Sequence, residues 1–93
     1  MVASMRKLLT RALHTPALPT YYPTRGDMIA AIDQRLAVVG YTLHADDCMD
    51  IPGNAGMKLL GIDCADTDEN VGYVSVSWYR MQSGRWELTA YIT

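Results

Sequence analysis

The chain is expected to fold as an α+β domain, with two N-terminal helices followed by an antiparallel sheet of about four strands that ends in a β-hairpin. Three observations lead there. Between Val71 and Ile92 the side chains alternate in character: Gly72, Val74, Val76 and Trp78 oppose Tyr73, Ser75, Ser77 and Tyr79. After Met81–Arg85 the pattern resumes, with Trp86, Leu88, Ala90 and Ile92 against Glu87, Thr89, Tyr91 and Thr93. A period of two puts one set on a buried face and the other in water. Gly84 supplies the positive φ that the reversal needs, so this stretch is a hairpin with both tryptophans on its core side. Secondly, Thr24 to Gly40 carries apolar residues at helical spacing between a start and a stop signal. Thirdly, helices precede strands instead of alternating with them, which separates the layers and favours an antiparallel sheet.

The first element spans residues 1–14. Met5, Leu8, Leu9, Ala12 and Leu13 recur at helical spacing, with Arg6, Lys7 and Arg11 on the other side. Ser4 is the expected N-cap, and Pro16 pushes His14-Thr15 out of the helix. Such a short amphipathic helix is marginal alone and needs a surface for Leu8, Leu9 and Leu13. A basic, acid-free, amphipathic N-terminus also describes an organelle presequence. Here the helix is expected to belong to the mature domain, and Arg11 interrupts an apolar run too short for a secretory signal.

Residues 15–24, T-P-A-L-P-T-Y-Y-P-T, hold three prolines and form a stiff, extended strap. Tyr21 and Tyr22 at its far end are either pinned against the fold or presented as aromatic anchors. The second helix, 25–39, starts with Thr24 and Asp27 at capping-box spacing. Met28, Ile29, Ile32, Leu36 and Val39 form its apolar stripe, with Asp27, Asp33, Gln34 and Arg35 outside, and Gly40 ends it in the left-handed conformation. Residues 41–93 supply the sheet. Tyr41–His44 is the first strand, and Ala45–Gly56 is a loop rich in turn formers. Met57–Ile62 is a nearly unbroken apolar strand expected at the centre, and Asp63–Asn70 is an acidic loop before the hairpin.

A chain of 93 residues makes a single domain, 1–93, with an expected stability of about 5–10 kcal/mol. No apolar run approaches the roughly 20 residues of a membrane span. Cys48 and Cys64 are the only cysteines, which favours free thiols in a reducing compartment; one disulfide stays open if the two segments are neighbours.

No catalytic or cofactor signature emerges. Asp66-x-Asp68-x-Asn70 opens like a calcium loop, but Val71 stands where glycine is needed and Ser77 where a bidentate glutamate is needed. His44 and Cys48 have the chemistry of a base and a thiolate, yet no helix start follows Cys48 and no oxyanion turn precedes it. Two cysteines and two distant histidines also fall short of a structural zinc set. The sequence therefore predicts a non-enzymatic protein without metal or cofactor.

The net charge of −2 conceals a polarity. Residues 1–26 carry Arg6, Lys7, Arg11 and Arg25 and no acid, whereas 46–69 carry Asp46, Asp47, Asp50, Asp63, Asp66, Asp68 and Glu69 against Lys58. The basic set is too small for independent duplex DNA binding. The acidic set is either solubilising or able to occupy a basic groove in the place of phosphate.

Taken whole, the chain resembles the small phage-encoded inhibitors of bacterial CRISPR surveillance complexes, in particular those acting on type I-F complexes. The resemblance is one of character: a motif-free, mildly acidic α+β domain of 93 residues with a basic helix and an acidic loop. That family shares no motif, so no residue role is carried over. The resemblance implies an inhibitor in the host cytoplasm that sits on guide-RNA-bearing Cas proteins and blocks hybridisation of target DNA. Under it, Arg6, Lys7 and Arg11 meet guide-RNA phosphate or an acidic Cas surface, with Arg25 close by. Tyr21 and Tyr22 act as anchors, and Asp46, Asp47, Asp66, Asp68 and Glu69 face lysines that otherwise grip DNA. The rival expectation is a self-associating regulatory domain of a phage or mobile element, with the first helix and the strap as its seam.

Overall fold

The computed structural model describes residues 2–48 and 51–93, so Asp50 of the acidic set lies outside the described residues. The chain runs α1 (Ala3–His14), β1 (Tyr21–Tyr22), α2 (Arg25–Ala37), β2 (Tyr41–Leu43), α3 (Ala45–Cys48), β3 (Ala55–Cys64), β4 (Asn70–Arg80) and β5 (Trp86–Ile92). The α+β class and the antiparallel sheet are as expected. The sheet has five strands in the order β1-β5-β4-β3-β2, because the end of the strap pairs with β5. Both helices lie on one face of it: α1 packs on α2 and β5, and α2 packs on β2, β1 and β5.

The interior is built from that contact. Leu9 and Leu13 of α1, Met28, Ile32 and Leu36 of α2, and the inward residues Leu60, Ile62, Val74 and Val76 are all fully buried. Cross-strand neighbours continue the layer, Leu60 opposite Val74 opposite Ile92 and Val76 opposite Ala90. Trp78 stands opposite Leu88 at 4% exposure and closes the hairpin end of the core.

Local signals place most boundaries. Thr24 Oγ1 accepts from the Asp27 amide at 3.1 Å, and Gly40 turns the chain at φ 89°. Gly84 does the same at φ 89° in the β4–β5 turn, where the Met81 amide donates to the Arg85 carbonyl at 2.8 Å.

Four expectations change. Ser4 is not the cap of α1, which starts two residues earlier than that cap would place it, behind Val2 with no side-chain cap. Leu8 is 42% exposed, because packing against α2 and β5 uses the Leu9–Leu13 side of the helix. The start of the Ala45–Gly56 loop is a single helical turn, α3. The strand over Met57–Ile62 extends to Ala55–Cys64 and takes in Asp63, which is buried instead of lying in a solvated loop.

Candidate interaction surfaces

The cations of α1 face away from the sheet because Leu9 and Leu13 face it. Arg6, Lys7 and Arg11 are exposed, and among the described residues none bonds or pairs with a carboxylate. Arg25 does not join them. It reaches over the Trp86 ring, 5.6 Å from its centroid, and donates from Nη1 to the Ile51 carbonyl.

The two tyrosines of the strap part company. Strand pairing sets Tyr22 opposite Trp86 and Tyr21 opposite Glu87, and successive strand residues point to opposite faces. Tyr22 is therefore in the core at 7% exposure, its hydroxyl buried without a partner among the described residues, and burial pushes its phenol pKa up. It cannot act as a presented anchor. Tyr21 points to the opposite, open face, where the Arg85 guanidinium lies 4.8 Å over its ring. The strap is pinned, with the Leu88 amide donating to the Thr20 carbonyl at 2.7 Å.

The acidic residues gather at the other end of the molecule, on α3 and the β3–β4 turn. Asp66, Asp68 and Glu69 are exposed there, and Asp68 takes φ 60° while its amide closes the turn on the Cys64 carbonyl. Asp47 has a structural duty: its Oδ2 accepts the Gly61 amide at 2.7 Å, and its carbonyl accepts from Lys58 Nζ at 2.7 Å. His44 sits between carboxylates, with Nδ1 2.7 Å from Asp63 and Nε2 3.6 Å from Asp46.

That setting raises the His44 pKa above 6.5, first through the Asp63 hydrogen bond, against some desolvation, and then through the charges of Asp63, Asp47 and Asp46. The folded protein thus binds the His44 proton more tightly than the unfolded chain. The resulting stability is complete below about pH 6.5 and fades as pH rises through the folded-state pKa. An NMR titration of the His44 ring should show a midpoint above 6.5, and Asp63→Asn should bring it down. A midpoint unmoved by Asp63→Asn would dissociate the ring from that carboxylate.

His44 and Cys48 do not converge. Cys48 lines a cleft of about 700 Å³ between α2 and β2 with Arg25, Asp33 and Thr42, whereas His44 lines a separate hollow with Asp47, Asp63, Asp68 and Tyr73. Burial, then the charges of Asp33 and Asp47, push the Cys48 thiol up and hold it protonated. Both cysteines are free. Among the described residues no group of three or more His, Cys, Asp or Glu is placed to hold a metal ion, and no helix is long and apolar enough to cross a membrane.

One surface was not foreseen: the outer face of the sheet. Met57 is 67% exposed and Leu59 53%, because nothing in the described chain covers this half of the second face of β3; farther along, Gly61 and Asp63 lie under Asp47 and His44. Tyr73, Tyr79 and Tyr91 share that face with them and are half-exposed. Leu59, Ser75 and Tyr91 form one cross-strand row, and Met57, Ser77 and Thr89 form the next. The small serines leave a furrow along β4 between larger neighbours, and Ser75 is 4% exposed at its floor. The unbroken apolar run of β3 was the signal for this face. It was consistent with a strand covered on both sides, and only the layer order shows that one side is bare.

Comparison with protein families, with curated proteins and with solved structures found no match.

Proposed function

We propose that the chain is a non-enzymatic binding protein: an inhibitor that acts in the host cytoplasm on a guide-RNA-bearing Cas surveillance complex and keeps target DNA from hybridising. The observation that carries the reading is the separation of charge. Arg6, Lys7 and Arg11 project from α1 with no carboxylate partner among the described residues, while Asp46, Asp66, Asp68 and Glu69 stand exposed on α3 and the β3–β4 turn. Had the two sets neutralised one another, no charged surface would remain for a target. The cations suit RNA phosphate or an acidic protein surface, and the carboxylates suit the lysines of a DNA-gripping groove. The two free thiols fit a reducing compartment. Tyr22 drops out of the contact set, and Arg25 contributes mainly to the fold.

Binding to a purified, guide-RNA-loaded type I-F complex tests the reading. Reversing Arg6, Lys7 and Arg11 together to Glu should weaken binding at least about 100-fold, since each interfacial charge is worth roughly 1–2 kcal/mol. The circular dichroism spectrum should not change, because these side chains carry none of the packing. No binding by the native protein, or equal binding by the triple variant, sinks the proposal.

A further inference from the structure

We infer that the cleft between α2 and the β2–α3 segment binds the C-terminal tail of a partner chain. The tail that fits it ends in a free carboxylate, preceded by two or three apolar residues and then a lysine or arginine. No residue of α1 lines this cleft, so its ligand is separate from whatever meets Arg6, Lys7 and Arg11.

At about 700 Å³ the cleft has the size of a ligand site, and its lining is mixed, as such sites are. Ile29, Leu43 and Ile51 supply apolar floor, the last two at 7% and 4% exposure. Small residues keep the walls apart, Gly26 and Ala30 on α2 and Ala45 on α3. A Cβ placed on Gly26 would meet only Thr24 Oγ1, at 3.8 Å, so that end is open. Gly26, Ala30 and Asp33 recur at helical spacing, which sets them along one face of α2. The cleft therefore runs lengthwise along the helix from its first turn.

One charge of each sign borders this cleft, and each is held in place. Arg25 stands at the start of α2, with Nη1 on the Ile51 carbonyl and the guanidinium 5.6 Å from the Trp86 centroid. That bond uses one of its five donors. Asp33 follows eight positions later, its Oδ1 accepting the Thr42 hydroxyl and the Leu43 amide, which leaves Oδ2 for a ligand. Neither residue has an ion-pair partner among the described residues. Charges fixed in this way meet an incoming ion with little reorganisation. The first-turn amides of α2 reinforce the positive end, since Thr24 Oγ1 takes that of Asp27 alone, and the Asp27 side chain does not line the cleft. The separation of the two charges selects the ligand. Eight residues of helix span about 12 Å, too far for a free amino acid, whose two charges flank one carbon. Four residues of extended chain, at about 3.3 Å each, cover it. A long-chain acid would satisfy Arg25 but run its hydrocarbon end into Asp33, and a polyanion would be repelled there. The carboxylate of the tail thus lies at Arg25 and Gly26, where the helix dipole favours it, and the basic side chain lies at Asp33.

An NMR titration of the isotope-labelled protein with the acetylated tetrapeptide Lys-Ala-Leu-Leu, its carboxylate free, tests this. The amides of Gly26, Ala30, Thr42 and Leu43 should shift together and reach half-saturation below about 1 mM peptide. Amidating the peptide's C-terminus, or exchanging its lysine for glutamate, should weaken binding at least about tenfold, the worth of one charge-assisted contact. Ala30→Leu should do the same by filling the cleft from an exposed helix position, with the thermal melt nearly unchanged. Asp33→Asn keeps an acceptor for the Leu43 amide and removes the charge. It should cost the lysine peptide about tenfold and leave binding of a peptide with alanine in that place unaffected. Absence of shifts at about 5 mM peptide overturns the inference, as do shifts centred elsewhere or equal binding of the amidated peptide. None of these results bears on the surveillance-complex assay, which turns on Arg6, Lys7 and Arg11.

Discussion

Leu60→Ala is expected to lower the stability of the folded domain by about 3 kcal/mol, read as a fall of roughly 2–3 M in the urea midpoint. Leu60 is fully buried, points toward the helix layer and stands opposite Val74 in the cross-strand row that ends at Ile92. It belongs to a strand paired on both sides, so the backbone cannot collapse to fill the space it leaves. The loss combines the transfer free energy of the deleted methyl groups with the cost of the cavity. On an expected total of about 5–10 kcal/mol that is roughly a third to three-fifths of the stability. The adjacent residue provides the control. Leu59 is half-exposed on the opposite face, and Leu59→Ala should cost well under about 1 kcal/mol. Equal effects at the two positions would mean that the sheet is covered on both sides.

Arg35→Ala should cost about 2 kcal/mol, and it should loosen one part of the molecule more than the rest. Arg35 Nη1 donates to the Leu13 carbonyl at 3.1 Å and to the Pro16 carbonyl, while Nη2 reaches the Ala17 carbonyl at 3.4 Å. One guanidinium thus satisfies an orphan carbonyl at the end of α1 and two in the strap that follows it. Hydrogen exchange should show the amides of α1 opening with Arg35→Ala while those of β3 and β4 keep their protection. Arg35→Lys should recover less than half of the loss, since a compact ammonium cannot span three acceptors held by a planar fork. Uniform loosening throughout the molecule would show that α1 and the strap have no separate stability.

Why the sequence revealed some elements and hid others follows from the range of the interaction that makes each one. The hairpin was legible because its alternation over Gly72–Tyr79 is a local consequence of strand geometry. The ends of α2 were legible because Thr24 with Asp27, and Gly40, act within a turn of themselves. β1 was not: two tyrosines between Pro19 and Pro23 are too few to show a period, and they become a strand only when β5 lies alongside. Arg35 and Asp33 read as solvated residues on the outer side of α2. Their real partners, one carbonyl at the end of α1, two in the strap and the edge of β2, lie about 9 to 22 positions away in sequence. The same distance hid the His44–Asp63 contact, which joins residues 19 apart. For the candidate surfaces, charge segregation was readable from composition, whereas the bare part of the sheet's outer face was not, because a pattern of side chains does not say which layer arrives to cover it.

Asp33 has a further consequence at the rim of the sheet. Its Oδ1 accepts the Thr42 hydroxyl at 2.9 Å and the Leu43 amide at 2.8 Å, and that amide is the one β2 turns away from β3. A free strand margin is a template on which further chains can add without limit. Here the carboxylate fills the vacant position on one side, and on the other β1 is two residues long between prolines. Ladder growth is stopped at both margins, so the sheet does not extend edge to edge into fibrils.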